Sequence, residues 1–150
     1  MGGRVSPPDG LTQTDYRALS DFRYQIRRFL HFSEQAAAAE GLEPQQHQML
    51  LAIQGLDEPD GPTIGQLAEY LMVRHHSAVG LVDRLEERGL VERVRGEQDR
   101  RQVRVRIAAE GLHKLKRLSS LHREELRQSE PALVETLRRI VESTSEGAGE

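Results

Sequence analysis

The apolar residues Leu19, Phe22, Ile26, Phe29 and Leu30 recur at spacings of three and four, which predicts an amphipathic helix from Asp15 to about Glu40. Gly41 breaks that helix. Pro44 suits the first turn of the next, which carries Met49, Leu50 and Ile53 and stops near Gly55. After the loop "DEPDGP", Thr63 and Gln66 sit three apart ahead of Leu67, Ala68 and Leu71, a capping-box pattern that opens a third helix. The break "MVR" leads into "HHSAVGLVDRLEERG", where Ala78, Leu81, Val82 and Leu85 share one face and Gly89 supplies the stop. The period then changes to two. Val103, Val105 and Ile107 alternate with Arg104 and Arg106, predicting a half-buried strand with its charges outward, joined through "RGEQDRR" to a partner strand at "LVERV". Leu112, Leu115, Leu118 and Leu126 then mark a long helix, and Leu133, Leu137, Ile140 and Val141 mark a last one beyond Pro131.

Two short helices across a tight turn, followed at once by a hairpin, make a winged helix-turn-helix, whose second helix can enter a major groove. The fold class is mainly α with one small β-hairpin, and 150 residues suit a single folding unit. With 37% hydrophobic, 30% charged and 4% aromatic residues, the chain has little apolar material for its own core, which fits a helical oligomer completed by a partner's helices. No apolar run reaches membrane-spanning length and no signal-peptide core follows the first arginine, so a cytoplasmic location and no membrane partner are expected. Residues 1–14 are expected to be a disordered leader and 143–150 a disordered tail. Cysteine is absent, which removes disulfides, thiol redox sensing, thiolate metal sites and cysteine nucleophiles together.

Charge is unevenly placed. Residues 1–62, 63–107 and 108–150 carry nets of −4, +2 and −1, and "RGEQDRRQVRVR", residues 95–106, holds five arginines against two acids. A net of +2 alone does not establish a polyanion partner. At a wing tip, though, arginines are drawn to a narrow minor groove and its enhanced negative potential.

The stretch "LAEYLMVRHHSAVGLVDRLEERGLVERVRGEQDRRQVRVRIAAEG", residues 67–111, resembles the MarR family of bacterial transcriptional regulators, and the helix order agrees over about residues 15–142. The pair "LVDRLEERGLVER" and "DRRQVRVRI" carries most of the resemblance. It implies a single domain at 15–142 with a winged core at about 44–107, and dimerisation helices at about 15–40 and 108–142 that intertwine in a homodimer. The implied partner is double-stranded DNA with a palindromic operator, and a small-molecule effector of unknown identity often changes the spacing of the two lobes. Residue by residue, it makes 74–89 the recognition helix, with Arg74, His75, His76, Ser77 and Gly80 at positions that face DNA and Arg84 a further candidate on that helix. Asp99 and Arg101 match the wing's aspartate and arginine; the arginine enters the minor groove, the aspartate holds the wing's shape, and Arg100 between them is placed toward phosphate. Three departures stand out: Met72 where a glycine often turns the chain, Arg74 where a serine often caps the helix, and Gly80 in place of a larger side chain. The missing cap corresponds to about 1 kcal/mol.

Other chemistry finds less support in the residues. His75 and His76 diverge by about 100° on a helix, whereas a chelating pair needs i, i+4 spacing. His31, His47, His113 and His122 could meet only through the fold, so a metal-responsive regulator stays as one alternative. Tyr24, Arg27, Arg28 and His31 lie near where the family's ligand cavity sits, and no ligand-binding residue is assigned. No phosphate loop, paired-histidine protease motif or nucleophile elbow is present, so neither an enzyme nor a cofactor is expected. The reading is therefore a sequence-specific, ligand-responsive repressor. Its rival is a winged-helix module for protein association, without an operator of its own.

Overall fold

Helix starts follow the capping chemistry that the sequence carries. A computed structural model describes residues 10–95 and 101–142, and in it helix α1 (Gln13–Ala39) begins two residues ahead of Asp15. The Asp15 carboxylate accepts the Thr12 backbone N–H at 2.7 Å, which pins that first turn. Helix α2 (Pro44–Leu56) opens on Pro44 with the Glu43 N–H donating to Gln46 Oε1 at 2.9 Å, and α3 (Ile64–Tyr70) opens on the expected Thr63–Gln66 box. Helix α4 (His75–Glu87) has Arg74 as its N-cap with no side-chain bond there, so the missing cap is a structural fact. Gly89 stops it in a left-handed conformation, φ 71°, with its N–H on Glu86 O.

Strands β1 (Val91–Arg95) and β2 (Val103–Ile107) pair antiparallel, with Arg93 opposite Val105. Val105 is fully buried, as the alternation requires. Arg104 departs from the outward placement expected for it. It is half-buried, forms an isolated antiparallel bridge with Thr63, and donates to Gly61 O at 2.9 Å and to Gln102 Oε1 at 3.1 Å. The reason is that the loop before α3 covers the free edge of β2, with the Val105 N–H on Pro62 O at 2.8 Å. Gly61 makes that approach possible: its φ is +90°, and a Cβ there would sit 2.1 Å from Val105 O.

The last element is one helix, α5 (Ala109–Glu142), not two; Pro131 lies inside it. A proline in a helix interior removes a donor and costs about 3 kcal/mol, which is why the local sequence reads as a break. Here Pro131 is exposed, while His122, Glu125, Ser129, Leu133, Thr136 and Ile140 keep a less accessible stripe running past it at helical spacing. Thr136 is 1% exposed and takes a 2.7 Å bond from Gln25 Nε2.

Contacts gather the chain into two compact units, Ser33–His122 and the stretches before and after it. The first holds the core, in which Met49, Leu50, Leu67, Leu81, Leu85, Leu90, Val105 and Leu118 are essentially inaccessible. Each such side chain is worth roughly 1.5–3 kcal/mol over leaving it in water. The helices of the second unit leave much of their apolar surface open, including Leu19, Ile26 and Leu30 on α1 and Leu126, Leu137 and Val141 on α5. Gln25, Phe29, Glu125, Leu126 and Leu133 are among the residues lining a 470 Å³ cavity in that unit, as is Arg28. Among the described residues no helix is long and apolar enough to cross a membrane.

Candidate nucleic-acid interface

Helix α4 buries Ala78, Leu81, Val82 and Leu85 and so fixes which of its residues face away. Arg74, His75, His76, Ser77 and Arg84 are exposed, and Gly80 is half-exposed between them. The connection from α3 turns at Met72, which holds φ 56° and is 93% exposed; its N–H bonds to Glu69 O, and Val73 N–H to Ala68 O. A methionine thus stands in a conformation that glycine adopts at no steric cost, as its position in the turn demands.

The hairpin is clamped to this helix by an arginine that the sequence did not single out. Arg93 on β1 donates to Asp83 Oδ1 at 2.5 Å and to Glu86 Oε1 at 2.8 Å, and its backbone N–H bonds to Glu86 Oε2 at 3.0 Å. Partial burial opposes the charge, but the bonds to Asp83 and Glu86 outweigh it and hold the guanidinium above its usual range. Glu86 is therefore the wing's anchor. The clamp also offsets part of the negative charge that Asp83 and Glu86 bring to α4's surface. Only the contact itself reveals this, since Asp83, Glu86 and Arg93 resemble solvated charges along the chain.

Arg101 is exposed in the turn leading into β2. Asp99 and Arg100 lie outside the described residues. Arg106 reaches Asp60 at 3.7 Å across an exposed surface. Of the scattered histidines the fold unites two: His47 and His122 have ring centroids 4.8 Å apart, and His122 places Nδ1 2.6 Å from Leu118 O and Nε2 2.8 Å from Ser33 Oγ. Burial, then the neighbouring His122, pushes His47 down to about 4. Among the described residues no three His, Asp or Glu side chains gather to hold a metal ion.

Comparison with known proteins matches residues 40–102, the segment from α2 through the hairpin, to the MarR family model. That segment, under half of the chain, is similar to the MarR family. The activatory transcriptional protein BadR of Rhodopseudomonas palustris is 38% identical over 91 residues, which cover 60% of this chain and 52% of BadR. The match thus spans about half the length of that curated relative. Among solved structures, the MarR family regulator AbsC of Streptomyces coelicolor superposes with a TM-score of 0.69 at 22% identity, covering 91% of this chain and 95% of its own. The S. aureus MepR–DNA complex gives 0.64 at 19%, covering 83% and 93%. At these identities the structural likenesses speak for the fold. They show that this chain has the winged-helix fold of those regulators.

Proposed function

We propose that this protein is a MarR-family, sequence-specific DNA-binding transcriptional regulator that acts as a homodimer on a palindromic operator. The observation that carries the reading is the charge sorting on α4. Asp83 and Glu86 are drawn onto Arg93, while Arg74, His75, His76, Ser77 and Arg84 stay exposed on the helix that follows the turn. In this reading α4 enters the major groove and Arg101 enters the adjacent minor groove; Asp99 shapes the wing and Arg100 meets phosphate. MepR, of the same fold, is seen bound to DNA.

The open apolar residues of α1 and α5 supply the dimer surface, which sets the recognition helices about 34 Å apart, one turn of DNA. A small-molecule effector acts by binding the two lobe spacings unequally, since a ligand shifts an equilibrium only through its differential affinity. BadR is named as an activator. Repression is the expected direction here, because occupancy alone can block a promoter, whereas activation needs a further contact with the transcription machinery.

Fluorescence anisotropy on DNA from upstream of the protein's own gene, against a scrambled duplex at two salt concentrations, tests the reading. Tight, salt-sensitive binding to the upstream duplex that weakens with Arg101→Ala is expected. Equal weak binding to both duplexes, unchanged by that substitution, would favour a protein-association module instead.

A further inference from the structure

The outward face of α4 carries a gap with an arginine laid across it. At about 100° per residue, His76, Gly80 and Arg84 fall on one stripe at i, i+4 and i+8, with Ser77 beside it, opposite the buried Ala78, Leu81, Val82 and Leu85. A Cβ added to Gly80 would lie 3.7 Å from Arg84 Nη1. The Arg84 guanidinium therefore sits one turn back toward the helix N-terminus, over the space that the absent side chain leaves. Helical side chains lean in that direction, and 3.7 Å is an ordinary packing distance, so the arginine rests on Gly80 without being displaced by it.

Three neighbouring charges are engaged elsewhere. Asp83 and Glu86 are held by Arg93, and Arg88 donates to Gln46 Oε1 at 3.2 Å. Arg84 is exposed, and among the described residues no side-chain hydrogen bond or ion pair holds it. Its planar fork of five donors lies exposed in the last turn of the helix, reaching back over Gly80.

We propose that Arg84, seated on Gly80, is a base-reading residue and that each operator half-site places a guanine opposite it. The inference rests on α4 being the helix that enters the major groove. Guanine shows two acceptors there, O6 and N7, which match the arginine fork. Adenine pairs an acceptor with a donor, cytosine offers a donor, and thymine one acceptor beside a methyl group. Gly80 is then a positioning residue: a bulky side chain there takes the guanidinium's place and holds the fork away from the base edge.

The test is selection from a random duplex pool with the full-length protein, followed by sequencing of the bound fraction and by circular dichroism of each variant. The wild-type chain is expected to enrich a palindrome with a guanine in each half. Arg84→Ala loses preference at that one position by roughly 5- to 150-fold and keeps the rest of the motif. Gly80→Ala keeps the guanine; Gly80→Leu, folded as judged by its helical signal and melting temperature, loses it. If Arg84→Ala instead weakens all sequences equally, with the motif intact and the salt slope flatter by about one, Arg84 is a phosphate contact and the proposal fails alone. If the wild-type chain enriches no motif, the DNA-reading function fails and takes this proposal with it.

Discussion

Acid should destabilise this protein through one buried histidine. His47 is 4% exposed on α2, and its pKa is lowered from 6.5 to about 4 by burial and by the facing His122 ring, which is itself bonded to Ser33 and Leu118. The folded state therefore keeps His47 neutral at pH values where the unfolded chain has already taken up a proton. Stability from this group is full above about pH 6.5 and falls as the pH drops toward 4; below that the group contributes no further change. The full shift corresponds to about 3 kcal/mol, and the part lost between pH 7 and pH 5 to about 2 kcal/mol. Urea unfolding at fixed protein concentration, followed by circular dichroism at pH 7, 6 and 5, measures it. His47→Leu is the comparison, since carboxylates and other groups common to both proteins cancel. The parent should lose about 2 kcal/mol more than the variant over that range. Equal losses would show that His47 does not carry the acid sensitivity.

Gly61→Ala should lower the melting temperature sharply and cost on the order of 2 kcal/mol or more, because its Cβ would meet Val105 O at 2.1 Å with φ at +90°. Met72→Gly should raise stability by roughly 0.5–1 kcal/mol in a denaturant titration, relieving a left-handed methionine at φ 56° whose side chain is almost wholly exposed. Arg93→Ala should weaken DNA binding most at low salt, by releasing the charges of Asp83 and Glu86 on α4. Adding Asp83→Asn and Glu86→Gln should restore part of that loss, and no restoration would mean that Arg93 acts only by holding the hairpin.

What could be read along the chain was what is local. Thr63 with Gln66, Pro44 and Gly89 place helix ends through bonds spanning three or four residues, and those ends stand where the pattern puts them. Pro131 misled for the same reason. Its cost is local and visible, while the stripe that carries α5 past it and the Gln25–Thr136 bond are tertiary. Arg104 looked outward because alternation says nothing about the 61–63 loop that folds over β2. The exposed start of α4, Arg74 to Ser77, was legible from periodicity plus the family resemblance; the Arg93 clamp and the His47–His122 pair join residues that no spacing rule connects. Asp99 and Arg100 lie outside the described residues, so the wing tip is known through Arg101.

The same contacts change how the arginines of an acidic chain should be counted. Residues 63–107 hold nine arginines, and taken at face value each would neutralise one phosphate per lobe. Four are engaged within the protein: Arg88 with Gln46, Arg93 with Asp83 and Glu86, Arg104 with Gly61 O, and Arg106 with Asp60. Withholding those four leaves at most five arginines per lobe as the ceiling from this segment. With a slope of about −0.9 per neutralised phosphate, a dimer should show log K falling against log salt no more steeply than about −9, where all nine arginines would give about −16. Titration of the operator complex across four salt concentrations distinguishes the two. A slope well beyond −9 would mean that the internal pairs break on DNA, and that the charge sorting on α4 does not define the surface that meets it.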